Sequence, residues 1–127
     1  MSVFNILLFS LGLCTQVLAQ TGLYDISPVE ITQAYEDTSP LAKYRYDSSS
    51  YEEARHQRNF LYETFHYKSD QFEVEGYACR PKLPAGTKQP VIIYNRGGTG
   101  NIGRLSEEDL PDFYWFAKHG FAVYASS

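Results

Sequence analysis

One stretch restricts what this chain can fold into more than any other. Val91-Ile92-Ile93-Tyr94 is an uncharged, largely β-branched run that starts after Pro90 and passes into a loop holding Gly97, Gly98, Gly100 and Gly103. A short apolar run of this kind reads as a strand buried on both faces, as in a parallel sheet. The loop that follows then lies at the strand's carboxyl end, where open α/β sheets bind ligands. Gly97 and Gly98 can take positive φ without a Cβ clash, and their backbone can approach a bound oxygen closely. Two readings stay open here. The loop is an anion nest or oxyanion hole, or it is a plain βα connection without chemistry.

Phosphate fingerprints fit poorly. The G-x-x-x-x-G-K-[ST] spacing fails because Arg104 and Leu105 follow Gly103. Gly98, Gly100 and Gly103 match G-x-G-x-x-G in spacing, but the helix pattern does not open at Gly103 and no second βαβ unit follows.

At 127 residues the chain is at most one ordinary domain. Its 43% hydrophobic and 16% aromatic content are those of a globular sequence. The net charge of −4, with no long run of either sign, argues against a nucleic-acid partner, which would need a basic stripe. No metal or cofactor is expected. His66 has no partner at ligand spacing and reads as a satisfied sheet histidine.

Residues 1–19 read as a signal peptide. Val3 to Leu13 is an apolar run of signal length, too short for a comfortable membrane span, and Val17-Leu18-Ala19 offers a cleavage site. Met1 to Asn5 lacks Lys and Arg, so an uncleaved anchor is the alternative. The chain is expected to be exported, to a periplasmic or extracellular destination, with no membrane contact beyond this segment. Cys14 is a poor lipoprotein site behind bulky Leu13. Cleavage leaves Cys79 without an internal partner, and its strand setting makes it a small buried hydrophobe.

Residues 20–58 form an N-terminal extension, expected to lie against the core. Val29, Ile31, Ala34 and Tyr35 suggest one short amphipathic helix. Ser50 and Glu53 suggest a capping box for a second, running to Arg58. The Glu52 to Arg58 charges read as a solvated face, with His56 exposed. Residues 59–127 carry the fold. Phe60 to Lys68 and Phe72 to Cys79 alternate as a hairpin turning at Ser69-Asp70. After the glycine loop, Ser106-Glu107-Glu108-Asp109 supplies a helix start and Pro111 fits the first turn. Leu110, Phe113, Tyr114 and Ala117 form one apolar face. Gly120 ends that helix, His119 is a helix-end cation, and Phe121 to Ala125 is a second buried strand. The expected class is α/β: an antiparallel hairpin followed by a strand-helix-strand parallel unit, right-handed by the usual crossover rule.

The text "FEVEGYACRPKLPAGTKQPVIIYNRGGTG", followed by "FAKHGFAVYASS", resembles the prolyl oligopeptidase (S9) branch of the α/β hydrolases. The likeness runs from Phe60 to Ser127, about half the chain. It implies that residues 59–127 are the N-terminal portion of an α/β-hydrolase sheet. It also implies that Gly97, Gly98 and Thr99 form the oxyanion loop, offering backbone N–H groups to a tetrahedral intermediate. Asn95-Arg96 stands where many relatives have a His before the two glycines. Arg96 is then a possible contact for a substrate carboxylate, or part of a loop-stabilising ion pair. No catalytic residue is assigned within this chain. The G-x-S-x-G elbow, the acid and the His of such an enzyme are expected beyond Ser127, so the 127 residues alone are expected to be inactive.

Two function classes follow. One is the amino-terminal segment of an exported serine hydrolase, peptidase or esterase, acting by acyl transfer on a peptide or ester. The other is a small secreted non-catalytic binding module, using an aromatic sheet face at Tyr62, Tyr77 and Tyr94. The next strand of a hydrolase would pair with the far side of Val91 to Tyr94, which otherwise is an open edge and an aggregation hazard. Oligomeric state is left open.

Overall fold

The alternating stretch around residues 60–80 folds into the longest antiparallel pair of the molecule. The computed structural model describes residues 22–98 and 100–127. Strand β2 (Phe60–Ser69) and strand β3 (Phe72–Pro81) pair in continuous register from Phe60 opposite Pro81 to Ser69 opposite Phe72. The turn is therefore Asp70-Gln71, one residue later than expected. Asp70 takes φ 54°, a conformation that short polar side chains tolerate better than most.

Strand β1 (Tyr24–Pro28) was not foreseen. It pairs antiparallel with β2, with an irregularity between Tyr24 and Ser27 where Asp25 takes φ 50°. The short helix expected over Val29 to Tyr35 does not form. The Val29 N–H donates to Tyr62 O at 2.9 Å, so the sheet claims this backbone first. Only Tyr35–Asp37 closes, as one 3₁₀ turn.

Helix α1 (Pro40–Arg45) starts behind Ser39, whose hydroxyl accepts from the Ala42 N–H at 3.2 Å. Helix α2 (Ser48–His56) starts earlier than expected, because Asp47 and not Ser50 is its cap. The Asp47 carboxylate accepts from the Ser50 N–H at 2.9 Å and from its hydroxyl at 2.8 Å. Glu53 is thereby free of a capping role. It accepts instead from the Tyr114 hydroxyl at 2.8 Å and pairs with Lys118 at 3.1 Å.

Strand β4 (Val91–Asn95), helix α3 (Leu110–Ala117) and strand β5 (Ala122–Ser126) supply the parallel unit. The sheet order is β1-β2-β3-β5-β4, so β5 inserts between the hairpin and β4. The result is a mixed five-stranded sheet with helices, an α/β fold.

Residues in register across the sheet form its covered face. Tyr62, Cys79, Val123 and Ile92 make one row. Tyr51 and Ala54 from α2 and Leu110, Phe113 and Ala117 from α3 complete the core with them. Helix α2 of the 22–58 segment packs on the sheet, as expected of an extension lying against the core, whereas β1 joins the sheet itself. On the other face Phe65 and Tyr124 meet at 5.9 Å and an Arg80–Glu63 ion pair closes at 2.8 Å, but no helix among the described residues covers it.

That asymmetry overturns one expectation. β4 is not buried on both faces. Ile92 and Tyr94 turn toward the core, whereas Val91 and Ile93 remain 54% and 65% exposed. An apolar β-branched run identifies a strand but cannot say how many layers will cover it.

Candidate functional site

The site is built where β4 ends. Asn95 is level with Ser126 of β5, and Arg96-Gly97-Gly98 continues directly from the β4 carboxyl end. The loop that follows is folded back on itself. Arg96 donates from Nη1 to Ile102 O at 2.8 Å and from Nη2 to Gly100 O at 3.0 Å. Gly98 takes φ 95°, and a Cβ there would run into the Ile102 carbonyl. Gly103 takes φ 72°, and a Cβ there would strike the Gly97 carbonyl oxygen. Two glycines are required because two backbone segments touch, not because both members of the pair are left-handed. Gly97 is not in the left-handed region, and a Cβ on it would meet nothing within 4 Å.

A cavity of about 410 Å³ opens beside this loop. Its lining includes Tyr94, Arg96 and Gly97 from the β4 end, Leu105 and Asp112, and Arg45 of α1. Gly98 is not part of the lining, and Thr99 lies outside the described residues. Of the expected loop residues, then, the structure brings Gly97 and Arg96 to the cavity and leaves Gly98 out of its lining. No described residue accepts a hydrogen bond from the N–H of Gly97 or Gly98.

Residues at the start of α3 also line the cavity. Ser106 and Asp109 form a capping box around the 3₁₀ turn Glu107–Asp109, with the Ser106 N–H donating to the Asp109 carboxylate at 2.8 Å. Leu110, Phe113, Tyr114 and Ala117 are all buried, as their spacing predicted. The acids here are spoken for. Asp109 and Asp112 both accept from the Arg45 guanidinium, Asp109 at 2.6 Å. Glu108 accepts from Ser39, at 2.9 Å from its N–H and 2.5 Å from its hydroxyl. Arg104 pairs with Glu75 at 3.2 Å. Arg96 differs from these cations. Among the described residues it meets carbonyl oxygens and no carboxylate, so the loop-stabilising ion pair is replaced by a pair of main-chain hydrogen bonds.

Other residues weighed from sequence have structural duties. Cys79 is fully buried, and burial pushes its thiol up to about 12, which leaves it unreactive at neutral pH. His119 Nδ1 lies 2.7 Å from Trp115 O, with the two rings 4.5 Å apart. His56 is exposed beside Glu52 at 3.0 Å. His66 stacks on Tyr24 at 6.1 Å, but its buried Nδ1 has no hydrogen-bond partner among the described residues, so the expectation of a satisfied histidine is not met there by any of them. The Ser126 hydroxyl is 2.8 Å from that of Tyr67, and Ser127 Oγ accepts from the Leu105 N–H at 3.1 Å.

The three tyrosines expected to present an aromatic binding face pack on the core instead, Tyr62 buried and Tyr77 and Tyr94 half-buried. Tyr62 is buried and donates to Ala54 O at 2.8 Å, Tyr94 packs on Phe113 at 5.3 Å, and Tyr77 is packed against the same core. Alternation places these three on one face, but only the helices decide which face is covered. The Arg45 and Glu108 contributions to the cavity region were missed. Ser39-Pro40 is a legible helix start, yet nothing in the sequence says that α1 docks beside the glycine loop.

Among the described residues no group of His, Cys, Asp or Glu is placed to hold a metal ion, and no helix is long and apolar enough to cross a membrane. The signal segment lies outside the described residues. No family model matches the chain, and neither curated proteins nor solved structures give a match.

Proposed function

We propose that this chain is the amino-terminal segment of an exported serine hydrolase of the prolyl oligopeptidase type, with a peptide or ester as substrate. The observation that carries the reading is the cavity at the β4 carboxyl end, lined by Arg96 and Gly97, whose loop N–H has no described acceptor. The sheet order supports it, since an antiparallel lead-in followed by β5 inserted next to β4 is the arrangement the α/β-hydrolase resemblance implies.

In this reading the substrate carbonyl enters the cavity. A serine from an elbow beyond Ser127 attacks it, with a histidine as general base. The carbonyl oxygen becomes an oxyanion as the tetrahedral intermediate forms, and an N–H of the Gly97-Gly98 loop donates to it. Such a donor matters because it gains strength only as charge develops. Arg45, which also lines the cavity, pairs with both Asp109 and Asp112 there, so those two carboxylates are partly offset.

The test uses the full-length protein. It should be labelled by a fluorophosphonate at a serine outside residues 1–127, and the isolated 127 residues should not be. Gly97→Val places a side chain at the cavity edge, where a Cβ has free space, so the fold should survive while turnover falls by about 10²–10³-fold. Turnover equal to the parent's would remove the loop from the mechanism.

A further inference from the structure

The Arg96 guanidinium is the feature that this function does not yet use. It stands one residue before Gly97, and its two donors span the loop from Gly100 O to Ile102 O. The second of these carbonyls is the one packed so closely on Gly98 that no Cβ fits between them. The first lies in the tip of the loop. Among the described residues, the other hydrogen bond of the tip is a long one within it, from the Arg104 N–H to Asn101 O at 3.4 Å. The loop is otherwise glycine-rich, and each glycine costs more conformational entropy to order than any other residue.

We infer that Arg96 is a positioning residue for oxyanion stabilisation. Its guanidinium bridges the main-chain oxygens of Gly100 and Ile102, and so fixes where the Gly97 and Gly98 amides stand. This inference rests on the serine-hydrolase reading above. A planar fork suits the task, because it can meet two acceptors in fixed directions, which a lysine ammonium on a flexible stem does not reproduce. The charge adds a second effect. Carbonyl acceptors do not neutralise a guanidinium, so Arg96 keeps a net positive charge at the cavity edge, of the sign that a developing oxyanion requires.

The test compares the full-length protein with Arg96→Ala and Arg96→Lys, after thermal melts show that each folds. The expected result is a fall in kcat of about 10²-fold for Arg96→Ala with KM within about twofold, the pattern of an interaction realised only in the transition state. Affinity for a boronic acid, which forms a tetrahedral adduct, should fall in parallel. Added methylguanidine should restore part of the Arg96→Ala rate and none of the Gly97→Val rate. Arg96→Lys should lie between parent and Ala. Parent-like kcat in Arg96→Ala, or equal losses in KM and kcat without methylguanidine rescue, overturns the inference while leaving the hydrolase reading in place. Absence of fluorophosphonate labelling in the parent overturns both. If neither variant folds, the guanidinium resonances of the parent decide: restricted rotation with slowed Nη–H exchange supports the bridge, and free rotation ends it.

Discussion

Gly76 lies opposite Phe65 in the central hairpin, and the Phe65 ring closes over it. The pair works because one partner has no side chain. The far end of the ring occupies the space a Gly76 side chain would need, and the ring also meets Tyr124 at 5.9 Å. A glycine in a strand interior is normally a weakness, and an aromatic cross-strand neighbour offsets it.

Gly76→Ala should therefore destabilise the protein. The added methyl meets both the ring and the Ala125 carbonyl oxygen, and the carbonyl belongs to the ladder and cannot step aside. Overpacking of this kind costs about 1–3 kcal/mol. Urea unfolding of the full-length protein measures it. A loss below the scatter between repeat titrations would show that β3 and β5 can part at no cost.

Glu108 should hold α1 in place. Its carboxylate takes two donors from Ser39, the cap of that helix. Glu108→Ala removes both, and hydrogen bonds to a charged group contribute about 1.5–3 kcal/mol together with the penalty for unpaired donors. Limited proteolysis should then cut first around residues 38–46. A digestion pattern matching the parent's speaks against the anchor.

Acid should loosen the α2 end of the molecule first. The Ser50 N–H and hydroxyl hold the Asp47 carboxyl below its ordinary value. The Tyr35 N–H, then Arg55, do the same for Glu52, and the Tyr114 hydroxyl, then Lys118, for Glu53. A lowered folded-state value means that the folded form binds fewer protons than the unfolded one. The contribution is complete above the ordinary carboxylate range and is lost as pH falls below about 4 through the folded values. Amide exchange in residues 47–56 should accelerate there before exchange in β3 does. Simultaneous loss in both regions would argue against local release.

Cys79 should resist alkylation. At pH 8 iodoacetamide should leave the native protein unlabelled and label it fully after denaturation, since the thiol is both enclosed and held far from its thiolate. Labelling of the native protein at the denatured rate would place the thiol at an accessible site.

Residues 20–127 on their own should aggregate. β4 is the outermost strand, and Val91 and Ile93 are largely uncovered. Ile93→Lys puts a charge on that strand without removing any core contact, a device by which natural edges are protected, and should raise the monomer fraction in light scattering. A monomeric parent segment with a sharp, reversible unfolding transition would defeat the expectation.

Much of the fold was legible because it rests on local patterns. The alternation of 60–80, the Ser106 start and the 110–117 stripe each name a face and a boundary. What escaped depended on partners far along the chain. β1 exists because β2 has a free side to offer, and the predicted helix over Val29 to Tyr35 lost to the same offer. Asp47 displaced Ser50 as a cap because it sits one residue ahead of the serine run and reaches Ser50 itself. At the site, the sequence located the loop but misjudged its glycines. Gly98 and Gly103 are demanded by contacts with Ile102 and Gly97, which no spacing rule encodes.

The two margins of the sheet are not equivalent. At β1 the backbone is kinked by left-handed Asp25 and stopped by Pro28, so that side makes a poor template for addition. At β4 five residues run straight, with one flank of amides and carbonyls unused by β5. Growth of this sheet therefore has a preferred direction, and any parallel newcomer must finish its run next to the glycine turn.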